Sequence, residues 1–151
     1  INETPKFTGE QAITSAIANV LSNEKKTVCV ITGHDEASVS GNKPRDIMAL
    51  KMLLNGENIE VIETSLLTEQ IASNASIIVI AGPKQDYADV ELDKLRDFAI
   101  TKKGHFLIAL DPSKNLPKLY DFLFKEYGVS VNYDIVVDPR GISQNYWTVC
   151  I

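Results

Sequence analysis

The chain has 151 residues, 44% of them hydrophobic, and a formal net charge of −5. A domain of this size buries roughly 68–70% of its unfolded surface, so it needs no disulfide framework, and its two cysteines make none. An acidic chain with scattered lysines and arginines excludes nucleic acid as the favoured partner, since that partner selects clustered cations.

No apolar run approaches the ~18 residues that span a bilayer. The chain begins on Ile1 and ends "WTVCI". We expect a piece of a longer, membrane-anchored chain, with any signal or membrane segment outside residues 1–151. Residues 1–151 themselves read as one α/β domain.

Residues 9–23 place Ala12, Ile13, Ala16, Ile17, Val20 and Leu21 on one stripe, which is helical periodicity. "TVCVIT" (27–32) is a β-branched apolar run and reads as a buried strand, with Cys29 as a small hydrophobe inside it. Pro44 suits a first helical position, Ile47, Leu50, Leu53 and Leu54 give that helix a buried stripe, and Gly56 stops it. "IEVIET" (59–64) is a second strand and "SIIVIAG" (76–82) a third, apolar enough to be central. The pattern predicts a helix over 89–103, with Leu92, Leu95, Phe98 and Ala99 inward and Gly104 beyond it. "HFLIALD" (105–111) is a fourth strand. A helix over 116–127 turns Leu116, Leu119, Tyr120 and Leu123 inward and ends at Gly128, and "DIVVD" (134–138) fits a fifth strand.

Strands alternating with helices mean βαβ units and a mostly parallel sheet, and right-handed crossovers restrict the topology. We expect a three-layer α/β domain of flavodoxin-like or amidotransferase-like kind, with strand order 2-1-3-4-5. Ligands of such sheets bind beyond the carboxyl ends of the strands, at the switch point between the first and third. "GHDE" (33–36) follows the first strand, "AGPKQD" (81–86) the third and "LDPSKN" (110–115) the fourth. The candidate ligand- or partner-binding residues are therefore His34, Asp35, Glu36, Gly82, Pro83 and Asp111.

Several chemistries fail at this edge. A P-loop needs G-x-x-x-x-G-K-[ST], and neither Gly33 nor Gly41 opens one; G-x-G-x-x-G is absent, and Asp35 and Glu36 repel phosphate. Thr32, Ser38 and Ser40 are available for a flavodoxin-like phosphate loop, but the acids count against it. A nucleophile elbow needs Cys or Ser on a sharp turn, and the turn after the third strand reads Ala81-Gly82-Pro83-Lys84. Cys29 lies inside a strand, and His105 starts a strand at the far edge from His34, so no Cys-His or Ser-His pair assembles. His34, Asp35, Glu36 and Asp111 are types that bind a divalent ion, but adjacent residues seldom aim at one centre and no E-x-x-H or H-x-H spacing is present. No catalytic residue, metal site or cofactor is assigned. Gly33 as a tight strand exit, and Asp111-Pro112 and Gly82-Pro83 as strand-ending turns, account for much of the stretch structurally.

The motifs in order resemble those of GldG-like proteins, auxiliary components of ABC transporters first associated with gliding motility. The resemblance rests on Gly9-Glu10-Gln11 at a helix start, Gly33-His34-Asp35-Glu36 closing a strand, and Ile80-Ala81-Gly82-Pro83 closing another. It continues through Glu91 to Gly104, Asp111-Pro112, and "LFKEYGVSVNYDIVVDPRG" (123–141). It implies an extracytoplasmic domain related to amidotransferase-like folds but without the nucleophile, attached to the membrane elsewhere, with an ABC permease and ATPase as partners. It names no substrate and no catalytic residue. One departure concerns turn geometry: the family often has Gly-Gly before the fourth strand, where this chain has Lys103-Gly104.

The expected function is a non-catalytic binding or interaction module of an ABC-type transport system. The alternative is a small-molecule or sugar-binding α/β domain, or a degenerate amidotransferase-like enzyme. Ile78 and Val79 should both be buried in a central strand. At the strand ends, His34 should face the crevice, and Glu36 should hold the 37–43 loop through backbone hydrogen bonds; the other reading is that His34, Glu36 and Asp111 jointly bind a ligand or partner.

Overall fold

The computed structural model of the chain describes residues 26–132 apart from Pro112 and, before them, Gly9, Ile13, Thr14, Ile17 and Val20, which are helical. Four strands and three helices follow in order: β1 (Thr27–Thr32), α1 (Met48–Gly56), β2 (Glu60–Ser65), β3 (Ala75–Ala81), α2 (Asp89–Lys102), β4 (His105–Ala109) and α3 (Pro117–Tyr127). The sheet is wholly parallel, in the order β2-β1-β3-β4. This is a three-layer α/β arrangement with flavodoxin-like order. The expected fifth strand at 134–138, Pro112 and Cys150 lie outside the described residues.

Alternation along the strands sorts the core into two faces. One face carries Cys29, Ile31, Ile78 and Ile80, covered by Leu92, Leu95 and Phe98 of α2 and by Leu119, Phe122 and Leu123 of α3, with Leu116 just before it. The other carries Val28, Val30, Val61 and Val79, covered by Val39, Ile47 and Leu54. As expected, Ile78 and Val79 are both buried, and Cys29 is fully so. The Cys29 thiol donates to Thr64 Oγ1 at 3.1 Å, and burial above all pushes its pKa up, which makes it a poor nucleophile.

Two expectations around α1 need correction. Pro44 does not open the helix, which begins four residues later. Asp46 accepts the Ser38 and Lys43 N–H groups, and its own N–H donates to the Lys43 carbonyl at 2.9 Å. That turn takes Pro44 at its second position, where the ring's fixed φ fits, and it competes with a helix start. The apolar stripe of α1 is also only half covered: Ile47, Leu50 and Leu54 are partly buried, but Leu53 faces outward, and α1 has no fully buried residue. The helix ends at Gly56 as expected, and Asn58 beyond it takes the left-handed conformation at φ 59°.

The turn before β4 is tight at both of its residues, Lys103 and Gly104. Lys103 closes α2 in the left-handed region at φ 50°, a conformation a side chain resists. A Cβ at Gly104 would stand 2.0 Å from the Phe98 ring. Gly104 is thus required by packing, while Lys103 sits at a backbone angle that glycine adopts without strain.

Replacing Ile78 by Ala should cost about 2–5 kcal/mol in chemical denaturation through the cavity left behind, whereas Leu53→Ser should stay within about 0.5 kcal/mol. Equal costs at the two positions would contradict this division of core and surface. Lys103→Gly should stabilise the fold by up to about 1 kcal/mol by relieving the left-handed turn; a loss of stability would refute that account.

Candidate functional site

β1 leaves the sheet through Gly33, whose φ of 121° no side chain adopts easily. This swing turns His34 back into the protein. The expectation that His34 faces the crevice is therefore corrected: it is buried, with its ring stacked on Tyr87 at 4.3 Å between centroids. His34 Nε2 lies 3.1 Å from Glu91 Oε2, and His34 Nδ1 lies 3.6 Å from Glu36 Oε1. Glu36 Oε1 accepts the Tyr87 hydroxyl at 2.6 Å, and Glu36 Oε2 accepts the His34 backbone N–H at 2.7 Å. All four residues are buried. They form one polar quartet joining the loop after β1 to the start of α2.

The partners fix the chemistry of the quartet. The Nε2 proton goes to Glu91, since that carboxylate is the only acceptor within reach of it among the described contacts. Glu36 is served by two donors. Glu91 Oε2 also accepts the Ala88 N–H at 2.9 Å, the half of a capping box that Ala88 cannot reciprocate. Its position in the first turn of α2 sets the helix dipole against its negative charge. Glu91 Oε1 and His34 Nδ1 have no hydrogen-bond partner. For Tyr87, burial first and then the charge and hydrogen bond of Glu36 hold the phenol far above the ordinary tyrosine value.

Around the quartet, at the crest formed by the loops beyond the carboxyl ends of the strands, three further acids, Glu63, Asp46 and Asp86, bind mainly the protein's own backbone. Glu63 accepts Ser38 Oγ at 2.6 Å and the Val39 N–H at 2.8 Å. Burial raises its pKa, and these hydrogen bonds outweigh that and leave it below the usual range. Hydrogen bonds from the Ser38 and Lys43 backbone lower Asp46 likewise. Asp86 takes the Lys118 and Leu119 N–H groups at 2.8 and 3.1 Å, capping α3, whose own N-cap residue Leu116 offers no side-chain bond. The donors that would cradle an anion at these loop and helix starts are occupied.

The six candidate residues separate into two groups. His34 and Glu36 are joined in the quartet. Asp35, at φ 58°, is exposed and pairs with Arg45 at 2.8 Å and Lys43 at 3.6 Å. Asp111 is exposed and pairs with Lys84, so it does not join His34 and Glu36. Gly82 bends at φ 61°, and a Cβ there would meet Asp111 Oδ2 at 3.2 Å; Pro83 is buried beside it. The 37–43 loop is held by Glu63 and Asp46 rather than by Glu36. Sequence reasoning missed Tyr87, Glu91, Glu63, Asp46 and Asp86. The readable signal was Tyr87, the one aromatic in the polar run "PKQDYADVELD", with Glu91 three residues after an N-cap residue that has no side-chain oxygen.

This arrangement stiffens the crest. The Glu91 bond engages His34 Nε2, and burial keeps the ring from a substrate. Among the described residues no group of three or more His, Cys, Asp or Glu side chains is placed to hold a metal ion. Two surface cavities, of about 330 and 400 Å3, lie beside α2 and between β4 and α3, and neither is lined by a member of the quartet or by any of the six candidate residues.

His34→Ala should cost on the order of 3–5 kcal/mol, because it leaves two buried carboxylates without the imidazole, and Tyr87→Phe about 1–3 kcal/mol, because Glu36 loses a buried donor. Chemical denaturation checks both, and a neutral His34→Ala would refute the quartet as a structural unit. The raised Tyr87 pKa also fixes a pH dependence. Its stabilising contribution is whole below about pH 10, the unfolded tyrosine value, and is lost as the pH rises beyond it. In an alkaline absorbance titration the folded protein and a folded Tyr87→Phe variant should give the same tyrosinate amplitude; a smaller amplitude in the variant would show that Tyr87 ionises in the native state.

Comparison with known sequences places these features. No curated protein and no solved structure gives a significant match. The family described as ABC-type uncharacterized transport system matches residues 25–148, from the start of β1 past the end of α3. That stretch contains the whole sheet, the crest and the quartet, and the chain belongs to this family of auxiliary ABC-type transport components.

Proposed function

We propose that this chain is a non-catalytic binding and interaction module of its ABC-type transport system, of the GldG-like kind. In this reading it works on the extracytoplasmic side, as part of a membrane-anchored protein, and its partners are the permease and ATPase subunits. The family membership supports the transport role. The observation that carries the non-catalytic part is the commitment of the crest: His34, Glu36 and Glu91 are buried in mutual contacts, and the turn after β3, where related folds carry a nucleophile, reads Gly82-Pro83-Lys84.

The binding surface in this reading is the exposed part of the crest. Asp35 with Arg45, and Asp111 with Lys84, present paired charges at its surface. Gly82 lets Asp111 lie close to the backbone. His34, Glu36 and Pro83 hold that surface from beneath. Exposed ion pairs contribute little to stability, so these charges are free to be exchanged for charges on a partner at small cost to the fold.

Co-purification of the chain with detergent-solubilised permease and ATPase tests the proposal. Asp35→Lys and Asp111→Lys should weaken association about tenfold or more, as loss of interfacial charge complementarity does, while the melting temperature stays unchanged. Intact association in both variants would overturn the crest as the docking surface. A rise in melting temperature with a sugar or other small molecule, abolished by the same substitutions, would favour the small-molecule-binding alternative. Turnover of an ester or amide that is lost on changing one of residues 81–86 would overturn the non-catalytic reading.

A further inference from the structure

A parallel sheet is normally covered on both faces, and among the described residues one quarter of it has no cover. On the face that carries Val28, Val30 and Val79, the β1–β2 half lies under Ile47 and Leu54. The β3–β4 half continues that face with Ile77, His105 and Leu107, in adjacent register positions. Ile77 is 36% exposed and Leu107 57%. On the opposite face the same two strands carry Ile78, Ile80, Phe106 and Ile108, which pack into the core beneath α2 and α3. The bare half is therefore an apolar surface on one side of an otherwise well-packed pair of strands.

A second unpartnered apolar surface lies in the same chain. Ile13, Ile17 and Val20 are helical and 62%, 57% and 83% exposed. Their spacing of four and three residues puts them on one side of a helix, and the sequence adds Ala12, Ala16 and Leu21 to the same stripe. From Gly9 to Val20 such a helix runs about 18 Å, close to the ~17–23 Å of strands of five to seven residues. The chain between Val20 and Thr27 reaches at most about 24 Å, while β3 and β4 stand only ~5–10 Å across the sheet from β1. The helix is thus tethered within reach of the bare half, and a helix leading into β1 runs antiparallel to the strand without crossing another connection.

We infer that the amphipathic helix bearing Ile13, Ile17 and Val20 docks on the Ile77–Leu107 half of its own sheet and completes the second helical layer. Neither apolar surface carries a charge that the other would have to bury: His105 stands at the strand's first residue, and the stripe is made of Ala, Ile, Val and Leu. The helix is a cover supplied by the chain itself, held by a short tether.

Full-length Ile17→Asp, Leu107→Asp and the double variant test this, with melting temperature and sedimentation as readouts. Each single change should lower the melting temperature by about 3–6 °C, a large share of the shift expected for a buried contact in a domain of this size. The double variant should fall clearly short of the sum, because both changes remove one contact. In a Cys150→Ser background, Ile13→Cys, Ile17→Cys or Val20→Cys combined with Leu107→Cys should give a disulfide within one chain in at least one of the three pairs. Additive or absent shifts would overturn the inference, as would the lack of an intramolecular disulfide in all three pairs. A disulfide between two chains, with a melting temperature that rises with concentration, would assign the surface to a second copy instead.

Discussion

The constraint on which the crest depends is the burial of two carboxylates, Glu36 and Glu91, around one imidazole. Transferring an ionised carboxyl group out of water is costly unless it is paired and hydrogen-bonded. Glu36 meets the cost with the Tyr87 hydroxyl and the His34 N–H. Glu91 meets it with His34 Nε2, the Ala88 N–H and the positive end of α2. The Tyr87–Glu36 and His34–Glu91 contacts cross between segments, so the loop after β1 is tied both to the loop after β3 and to the start of α2. Two backbone bonds reinforce the join, from the Lys84 and Gln85 N–H groups to the His34 carbonyl.

The same economy recurs outward from the quartet. Asp86 beside Tyr87 caps α3, Glu63 on β2 ties down Ser38 and Val39, and Asp46 ties down Ser38 and Lys43. In enzymes of this architecture the strand-end loops keep backbone donors free for substrate, often phosphate, and the sheet exists to aim them. Here carboxylates of the chain fill equivalent positions. The fold keeps the platform of a ligand-binding α/β domain and seals it from within. What remains exposed beside it are the ion pairs of Asp35 with Arg45 and of Asp111 with Lys84.

The sequence made the framework legible because periodicity and punctuation agree there. "TVCVIT" became β1 at the same residues, and "SIIVIAG" and "HFLIALD" became β3 and β4 to within one or two residues at each end. α2 and α3 kept their inward leucines and their left-handed ends. Parallel order followed from strand–helix alternation, which reports local burial. The misreadings have one physical origin. Local pattern suits Pro44 to a helix start and Leu53 to a buried stripe, but Asp46 draws the chain into a turn that Pro44 fits equally well, and Leu53 stands exposed on a helix with no fully buried residue. The site was half legible for a related reason: "GHDE" marks a place where the chain departs from ordinary loop composition, but the sequence does not show that Asp35 points out while its neighbours point in. That division depends on the positive φ angles at Gly33 and Asp35 and on a tyrosine 51 residues from Glu36.

Two unsatisfied atoms in the quartet bear on how the crest could respond to a partner. His34 Nδ1 and Glu91 Oε1 are buried and lack hydrogen bonds, and such groups cost stability of about 1–3 kcal/mol each. A fold that tolerates both gains something from the geometry that creates them. The gain is the position of His34: rotating the ring to satisfy Nδ1 would break its stack on Tyr87 and its bond to Glu91, and with them the link between the two loops. The crest is therefore held by an arrangement that is tight but not fully satisfied. Asp35 follows His34 directly in the chain, and Asp111 lies against Gly82 across the strand ends, so the exposed charges adjoin the least satisfied part of the interior.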